Sequence, residues 1–118
     1  MIETPSTFAK SERITGKNSI SVLLSKGKWG NCRELKYCYL TTGEEKPRRL
    51  MVSVPKKLFK RAVKRNLLKR RIRESYRTRK GLIGVEGGVD LLIQYNTSEI
   101  LDFTTVRETV EDILKQIK

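Results

Sequence analysis

The sequence predicts an α+β domain in which helices pack against one β-sheet, and three observations lead to this prediction. The chain has 118 residues, 37% of them hydrophobic, which suits one modest core. Stretches 35–41 and 49–55 are rich in strand formers and alternate in polarity. Two later stretches, at 60–80 and after Asp102, repeat apolar residues at helical spacing. We therefore expect one domain over residues 1–118, with 1–7 as a loose arm.

The first predicted element is a short helix around the apolar cluster at 20–24. Asn18 or Ser19 would cap its N-terminus, because their side chains accept hydrogen bonds from the free amides of a first turn. Gly27 lies just past the expected C-terminus, where glycine is favoured. We therefore expect about two turns of helix.

A β-hairpin is predicted next. The segment LKYCYLT at 35–41 and the segment RLMVSVP at 49–55 are separated by the turn residues TGEEKP at 42–47. Pro55 should end the second strand because it has no amide hydrogen to donate to a sheet. Tyr37 and Tyr39 alternate on the first strand, which suits either a stacking platform for bases or ordinary packing, and packing is favoured.

The second half is predicted to be helix, loop, strand and helix. A basic helix begins within a few residues of Pro55 and runs to about Arg79. Four glycines make 81–88 a loop, and the apolar segment 89–95 is a central strand. Asp102 would cap a final helix. The apolar residues of that helix recur at i, i+4, i+7, i+8 and i+11: Val106, Val110, Ile113, Leu114 and Ile117.

The cysteines and the missing histidines exclude several kinds of site. Cys32 and Cys38 are spaced C-x5-C in a chain without histidine, too few ligands for a structural zinc site. We expect one thiol in a loop and one half-buried thiol in a reducing compartment. The commonest general base is also absent. No run of about 20 apolar residues and no signal-peptide segment occurs, so the expected location is the cytoplasm.

The positive charge is concentrated in one segment. The net charge is +13, and residues 56–80 hold 13 of the 26 basic residues and one of the 13 acidic residues, a net of +12. Solvated helices usually mix charge signs to gain pairs four residues apart. Here only Arg70 and Glu74 are spaced for such a pair. Uncompensated charge on one rigid element favours a site for a polyanion.

The predicted basic helix also has apolar faces that attach it to the domain. At about 100° per residue, one face should pack on the sheet and a smaller apolar patch should lie beside it, with basic residues between them on the outer side. The first face is Leu58, Ala62, Leu68, Ile72 and Tyr76; the patch is Phe59, Val63 and Leu67; the outer residues are Lys60, Arg61, Lys64 and Arg71. Arg65, Lys69 and Arg73 should emerge at the margin of the first face.

Three polyanions compete for this helix. A membrane-surface helix would carry a continuous apolar face with Trp, Phe or Leu opposite its charges, and the single Trp29 lies elsewhere in the chain. A DNA reader usually has a helix-turn-helix or dimer symmetry, whereas strands dominate the first half here. RNA suits a mixed α+β scaffold best. Neither membrane nor DNA is therefore an expected partner.

The basic segment resembles the bacterial ribonuclease P protein subunit. That family has a strand ending in V-S, a Lys-Lys pair, and then A-V-x-R-N-R-x-K-R-x-x-R-E followed closely by an aromatic residue. The resemblance covers nearly the whole chain, including Phe8, the K-G turn at Lys26 and Gly27, and the final helix. Matching positions here are Val52, Ser53, Lys56, Lys57, Ala62, Val63, Arg65, Asn66, Lys69, Arg70, Arg73, Glu74 and Tyr76.

The resemblance implies a fold and a function. The fold is a small α-β-β-β-α-β-α sandwich with a left-handed β-α-β crossover through the basic helix. The function is to bind the catalytic RNA of ribonuclease P and assist endonucleolytic removal of the 5′ leader of precursor tRNA. The RNA then performs the cleavage and holds most of the Mg²⁺, so we expect no catalytic residue and no metal or other cofactor on the protein. Alternatives are a ribosome-associated structural RNA-binding protein and a nuclease that acts without RNA.

The resemblance also implies two groups of site residues. The leader-binding cleft comprises Phe8, Ile20 and Leu24, with Tyr37 as an added aromatic candidate. Two departures from the family pattern stand out: Leu67 replaces the second arginine of R-N-R, and Ile20 and Leu24 stand where phenylalanine is frequent. The expected RNA-binding residues that match the family pattern are Lys56, Lys57, Arg65, Asn66, Lys69, Arg70 and Arg73. Arg61 and Lys64, on the outer side of the predicted helix, complete the set.

Overall fold

The structure is a computed structural model that describes residue 14 and residues 17–43, 48–84 and 87–117. Phe8 and the arm at 1–7 lie outside these residues. The described elements alternate as helix, three strands, helix, strand and helix, which confirms the predicted α+β class. They are α1 (Lys17–Lys26), β1 (Lys28–Cys32), β2 (Leu35–Gly43), β3 (Arg49–Ser53), α2 (Ala62–Arg79), a 3₁₀ turn (Lys80–Leu82), β4 (Gly88–Tyr95) and α3 (Phe103–Gln116).

The four strands form one sheet in the order β1, β2, β4, β3. β1 and β2 are antiparallel, as are β2 and β4, while β3 and β4 run parallel. The parallel pair is connected through α2, because a tight turn cannot join parallel neighbours. α2 is thus the crossover helix of a β-α-β unit, and the left-handedness implied by the resemblance stays a prediction.

Each face of the sheet carries its own apolar cluster, since successive strand residues point to opposite faces. The larger cluster joins Leu35, Tyr37 and Ile93 of the sheet with residues of α2 and α3. The smaller one joins Cys38 and Leu92 to Leu23 of α1, with Ile14 beside them. The molecule is therefore layered, with α1 on one face and α2 and α3 on the other.

The predicted hairpin is wrong in its pairing. Both of its strands exist, but β4 lies between β2 and β3 in the sheet. β4 is buried at seven of its eight positions, and a strand so apolar belongs at the centre of a sheet. The actual hairpin joins β1 to β2 through a tight turn at Arg33, whose φ of 52° lies in the left-handed region. The segment KWGNC of β1 is too short and too polar to have been recognised as a strand.

The helix boundaries differ from the predictions in small ways. α1 begins at Lys17, so Asn18 and Ser19 lie inside its first turn instead of capping it. α2 begins at Ala62, after a turn in which the amide of Leu58 donates to the carbonyl of Pro55. Asp102 caps α3 as predicted, since its side chain accepts from the Thr105 amide at 2.7 Å. All five predicted apolar positions of the last segment are buried.

Gly27 is required where α1 meets β2. A Cβ there would lie 2.5 Å from both the Cys38 sulfur and the Leu23 carbonyl oxygen.

Cys38 and Cys32 are both free and buried, and Cys32 lies on β1, so the expectation of one loop thiol is wrong. Burial raises the pKa of both thiols. Within the described residues, no helix is long and apolar enough to span a bilayer.

Candidate nucleic-acid interface

The buried side of α2 holds this helix against the domain core. Leu68, Ile72 and Tyr76 are buried in the larger cluster, as predicted, together with Ser75. Ala62 is exposed, because it stands at the first position of the helix. The predicted second patch does not form: Phe59 is buried, Leu67 is half-buried and Val63 is 77% exposed. One narrow apolar face therefore anchors α2, and the opposite side is left for charge.

Four of the predicted RNA-binding residues lie on one side of α2. Asn66, Lys69, Arg70 and Arg73 recur at i, i+3, i+4 and i+7, the spacing that aligns side chains along one helix face. Asn66, Arg70 and Arg73 are exposed, and Lys69 is half-buried. We call these four residues the α2 stripe. Among the residues that the structure describes, none of their cationic groups has an ion-pair partner.

Besides Arg65, whose bonds are described below, three other arginines of α2 are bonded within the protein. Arg71 donates from Nη1 to the carbonyl oxygen of Leu101, although it was predicted on the outer side. Arg77 pairs with Glu74, so the predicted Arg70 to Glu74 pair is wrong. Arg79 pairs with Glu111 of α3, with 2.7 Å between Nε and Oε1. α2 thus divides its arginines between internal bonds and an open surface.

The two acids that pair with Arg77 and Arg79 have lowered pKa values. The hydrogen bond from Arg77 lowers the pKa of Glu74, and the bond from Arg79 lowers the pKa of Glu111. Both carboxylates therefore stay ionised at neutral pH and remain committed to their arginines. The α2 stripe receives no compensation from them.

Arg65 has a different environment from the α2 stripe. Its Nη1 donates to the carbonyl oxygens of Phe59 at 2.8 Å and Lys60 at 2.9 Å. Phe59 is buried edge-on against Tyr95, with 5.6 Å between the ring centroids. Arg65 therefore ties the segment before α2 to the helix. The exposed predicted residues Lys56, Lys57, Arg61 and Lys64 lie in this segment and in the first turn.

The predicted leader-binding residues do not come together on one surface. Ile20 packs half-buried on the α1 side of the sheet, and Leu24 is 40% exposed there. Tyr37 is only 7% exposed on the opposite face, where its hydroxyl donates to Oε1 of Gln116 in α3. Tyr37 and Ile20 therefore cannot line one cleft, and Phe8 lies outside the described residues. Tyr39 is half-buried on the same face as Tyr37, so neither tyrosine forms a base-stacking platform on the α1 side.

A cleft of about 460 Å³ opens beside α1, and Leu24 is not among its described lining residues. Its floor carries Arg49, which binds Asp90 through two hydrogen bonds of 2.8 Å each. This bond raises the pKa of Arg49. Sequence reasoning missed both residues, because their pairing depends on β3 lying beside β4. The described lining residues are Asn18, Ser19, Val22, Leu40, Thr42, Arg49 and Asp90.

Trp29 is a second feature that sequence reasoning missed. It lies on β1 opposite Cys38 and is 44% exposed, with its indole Nε1 donating to the Leu24 carbonyl at 3.2 Å. The ammonium of Lys36 lies 4.8 Å from the ring centroid. No sequence signal placed this tryptophan beside Leu24, since β1 itself was not predicted.

No group of three or more Cys, Asp or Glu residues converges as a metal site within the described chain. Asp90 is bonded to Arg49, and Glu108 and Asp112 of α3 pair with Arg33. These carboxylates are committed to structural ion pairs. We therefore assign no described residue to a metal ion.

Together, the layered fold and the α2 stripe, which has no ion-pair partner among the described residues, define an α+β protein with an uncompensated basic helix surface. The family described as Ribonuclease P matches residues 8–118. This chain belongs to the ribonuclease P protein family, and this membership implies partnership with the RNA of ribonuclease P.

Relatives and solved structures agree with the family match. The ribonuclease P protein component of Porphyromonas gingivalis is 34% identical over 123 residues, covering 97% of this chain and 90% of the relative. The RNase P protein of Thermotoga maritima superposes with a TM-score of 0.78 and 30% identity, covering 91% of this chain and 98% of the other. The Staphylococcus aureus RNase P protein gives a TM-score of 0.76 with 27% identity, covering 90% and 94%.

Proposed function

We propose that this protein binds the RNA of ribonuclease P through the α2 stripe and assists removal of the 5′ leader from precursor tRNA. The observation that carries the proposal is the row Asn66, Lys69, Arg70 and Arg73, which is exposed or half-buried and forms no ion pair with any residue that the structure describes. Phosphates supply the missing negative charge, and release of their counterions favours binding. The tRNA substrate follows from the family.

The protein's contribution is positional and electrostatic. Lys56, Lys57, Arg61 and Lys64 extend the basic surface from the start of α2, and Arg65 holds their segment in place. Such a surface lowers the repulsion between catalytic RNA and substrate RNA. The RNA carries the cleavage chemistry, with Mg²⁺ held mainly by RNA. The proposal assigns no catalytic side chain to the protein.

Reconstitution tests this function. The purified full-length protein is added to a bacterial ribonuclease P RNA cleaving precursor tRNA, and the cleavage rate is measured over a Mg²⁺ titration. We expect the protein to lower the Mg²⁺ concentration needed for half-maximal rate. No change in rate, Mg²⁺ requirement or substrate affinity would leave a structural RNA-binding role instead. Cleavage by RNA-free protein would indicate a nuclease that acts alone.

A charge variant tests the α2 stripe itself. Lys69→Gln, Arg70→Gln and Arg73→Gln together should weaken binding to the RNA and flatten the dependence of log affinity on log salt by roughly one unit for each phosphate that the variant no longer neutralises. Lys115→Gln, an exposed lysine on α3, is the control for the removal of charge alone. An unchanged slope in the triple variant would place the RNA elsewhere.

A further inference from the structure

We propose that Trp29 is a stacking platform for one unpaired base of the precursor tRNA leader, with Lys36 as the cation for a neighbouring phosphate. This inference rests on the proposed function and adds to it a residue that the family pattern does not mark. The expected cleft residues Ile20 and Leu24 offer no aromatic ring. A single strand bound without aromatic stacking loses a large part of its affinity per base.

The position of Trp29 supplies an aromatic ring beside Leu24. Its indole nitrogen is bonded to the carbonyl of Leu24, so the ring lies against the end of α1 at one of the expected cleft residues. Tyr37 cannot serve instead, because it lies on the other face of the sheet under α3. Trp29 is therefore the aromatic residue that the described structure holds beside Leu24 on the α1 side.

The ring of Trp29 is both exposed and fixed in orientation. An exposed aromatic side chain is normally free to reorient, which costs entropy when a ligand orders it. Here the Nε1 hydrogen bond of 3.2 Å to Leu24 holds the indole, and β1 is paired along its whole length with β2. A ring that is 44% exposed and already oriented loses little freedom when a base stacks on it.

Lys36 gives the platform its charge. The ammonium lies 4.8 Å from the Trp29 centroid, the geometry of a cation–π contact at an exposed site. A base can take this place because the flexible lysine stem then carries the ammonium to the phosphate of the same strand. The surroundings add charge of the same sign: Lys26 ends α1 two residues after Leu24, and no acidic residue occurs between positions 14 and 33. Charge and aromatic surface thus match a single nucleic-acid strand.

Fluorescence of the holoenzyme tests the contact directly. Trp29 is the single tryptophan of the chain, and RNA adds no comparable emission, so the signal reports this ring alone. We expect precursor tRNA to quench the emission when it binds the assembled protein and RNA, and mature tRNA without a leader to leave it unchanged. Unchanged emission with saturating precursor tRNA would overturn the inference. Quenching that is already complete with ribonuclease P RNA alone would overturn the leader as the ligand.

Substitutions at Trp29 measure the contribution of stacking. Trp29→Leu keeps an apolar side chain without an aromatic face, and Trp29→Phe keeps a smaller face. We expect Trp29→Leu to lower the affinity for precursor tRNA, relative to mature tRNA, by roughly fivefold or more, and Trp29→Phe by less. Phe103→Leu is the matched control, since Phe103 is also exposed and also has a cation over its ring, Arg107 at 5.9 Å.

The outcomes separate this inference from the proposed function. Suppose that the unaltered protein activates the RNA, and that Trp29→Leu distinguishes precursor tRNA from mature tRNA as well as the unaltered protein does. The stacking platform is then wrong, and the proposed function stands. If the unaltered protein does not activate the RNA, the function itself fails. Should Trp29→Leu fold poorly, as a fall in melting temperature would reveal, the fluorescence of the unaltered protein still decides.

Discussion

Nη1 of Arg65 donates hydrogen bonds to two backbone carbonyl oxygens, that of Phe59 at 2.8 Å and that of Lys60 at 2.9 Å. The sequence position of Arg65 groups it with the RNA-binding residues, yet its nearest bonds are to the protein backbone. Phe59 is buried against Tyr95, so this arginine connects the core to the first turn of α2. A residue that the family resemblance places among the RNA contacts therefore holds the segment before α2 against the helix.

Replacing Arg65 should reduce stability, whereas replacing Arg73 should not. Arg65→Gln removes two charge-assisted hydrogen bonds to carbonyls and should lower the free energy of unfolding by about 1–2 kcal/mol. Arg73→Gln removes an exposed charge and should change it by less than about 0.5 kcal/mol. Urea unfolding of the RNA-free proteins measures both. Equal unfolding midpoints for the two variants would show that the Arg65 bonds contribute nothing.

Tyr37 should matter for packing and not for the leader. Tyr37→Phe removes the hydroxyl that donates to Gln116 and keeps the ring in the core, so we expect a loss of about 0.5–1.5 kcal/mol in stability. Discrimination between precursor and mature tRNA should stay at its original value. If Tyr37→Phe loses that discrimination while its stability is unchanged, Tyr37 contacts the leader after all.

Much of the fold was predictable because local signals and tertiary packing agree. Asp102 caps α3 and the five apolar positions from Val106 to Ile117 are buried, since one amphipathic pattern fixes both the helix and its inner face. The strand order was not predictable. Adjacent strands along the chain usually pair, and only the insertion of the buried β4 between β2 and β3 separates them.

For the candidate site, the sequence indicated which residue types are involved but not how the fold arranges them. The concentration of charge located the helix, and helical spacing alone aligns Asn66, Lys69, Arg70 and Arg73. The sequence does not show which arginines form bonds within the protein. Arg79, for example, pairs with Glu111 because α3 lies beside α2. Trp29 needed a strand that the sequence did not reveal. Tertiary neighbours thus decide the role of each charged or aromatic residue once its element is known.

Leu67 is the position where an added charge should improve binding. The family pattern has an arginine here, and Leu67 is half-buried without belonging to either apolar cluster. Arg71, which could have compensated, is bonded to Leu101. We expect Leu67→Arg to raise the affinity for ribonuclease P RNA and steepen the salt dependence by roughly one unit. Leu67→Gln is the uncharged control.

If Leu67→Arg and Leu67→Gln bind the RNA with equal affinity and equal salt dependence, no phosphate lies within reach of this position. The phosphate interaction expected from the family would then be absent in this protein. A lower affinity for Leu67→Arg alone would mean that the added guanidinium meets another cation of the basic surface at close range.

The acid side of the stability profile should depend on Asp102. Its pKa is lowered because the carboxylate accepts the backbone amide of Thr105. A group whose pKa is lower in the folded state than in the unfolded state stabilises the fold above the unfolded pKa, and this contribution is lost as pH falls through the folded pKa. Glu74 and Glu111 have lowered pKa values as well, so the melting temperature should fall below about pH 4.5.

Asp102→Asn isolates the contribution of this cap. Asparagine keeps an oxygen that accepts from the Thr105 amide, but it does not titrate. The melting temperature of the unaltered protein should exceed that of Asp102→Asn at pH 7. The reason is that the positive N-terminal end of the α3 dipole stabilises a negatively charged acceptor. The difference should shrink to zero or reverse as pH falls below the lowered pKa of Asp102. Repulsion among the basic residues affects both proteins alike, so it cancels in the comparison. A difference in melting temperature that stays constant from pH 7 to pH 2 would show that the charge of Asp102 has no stabilising role.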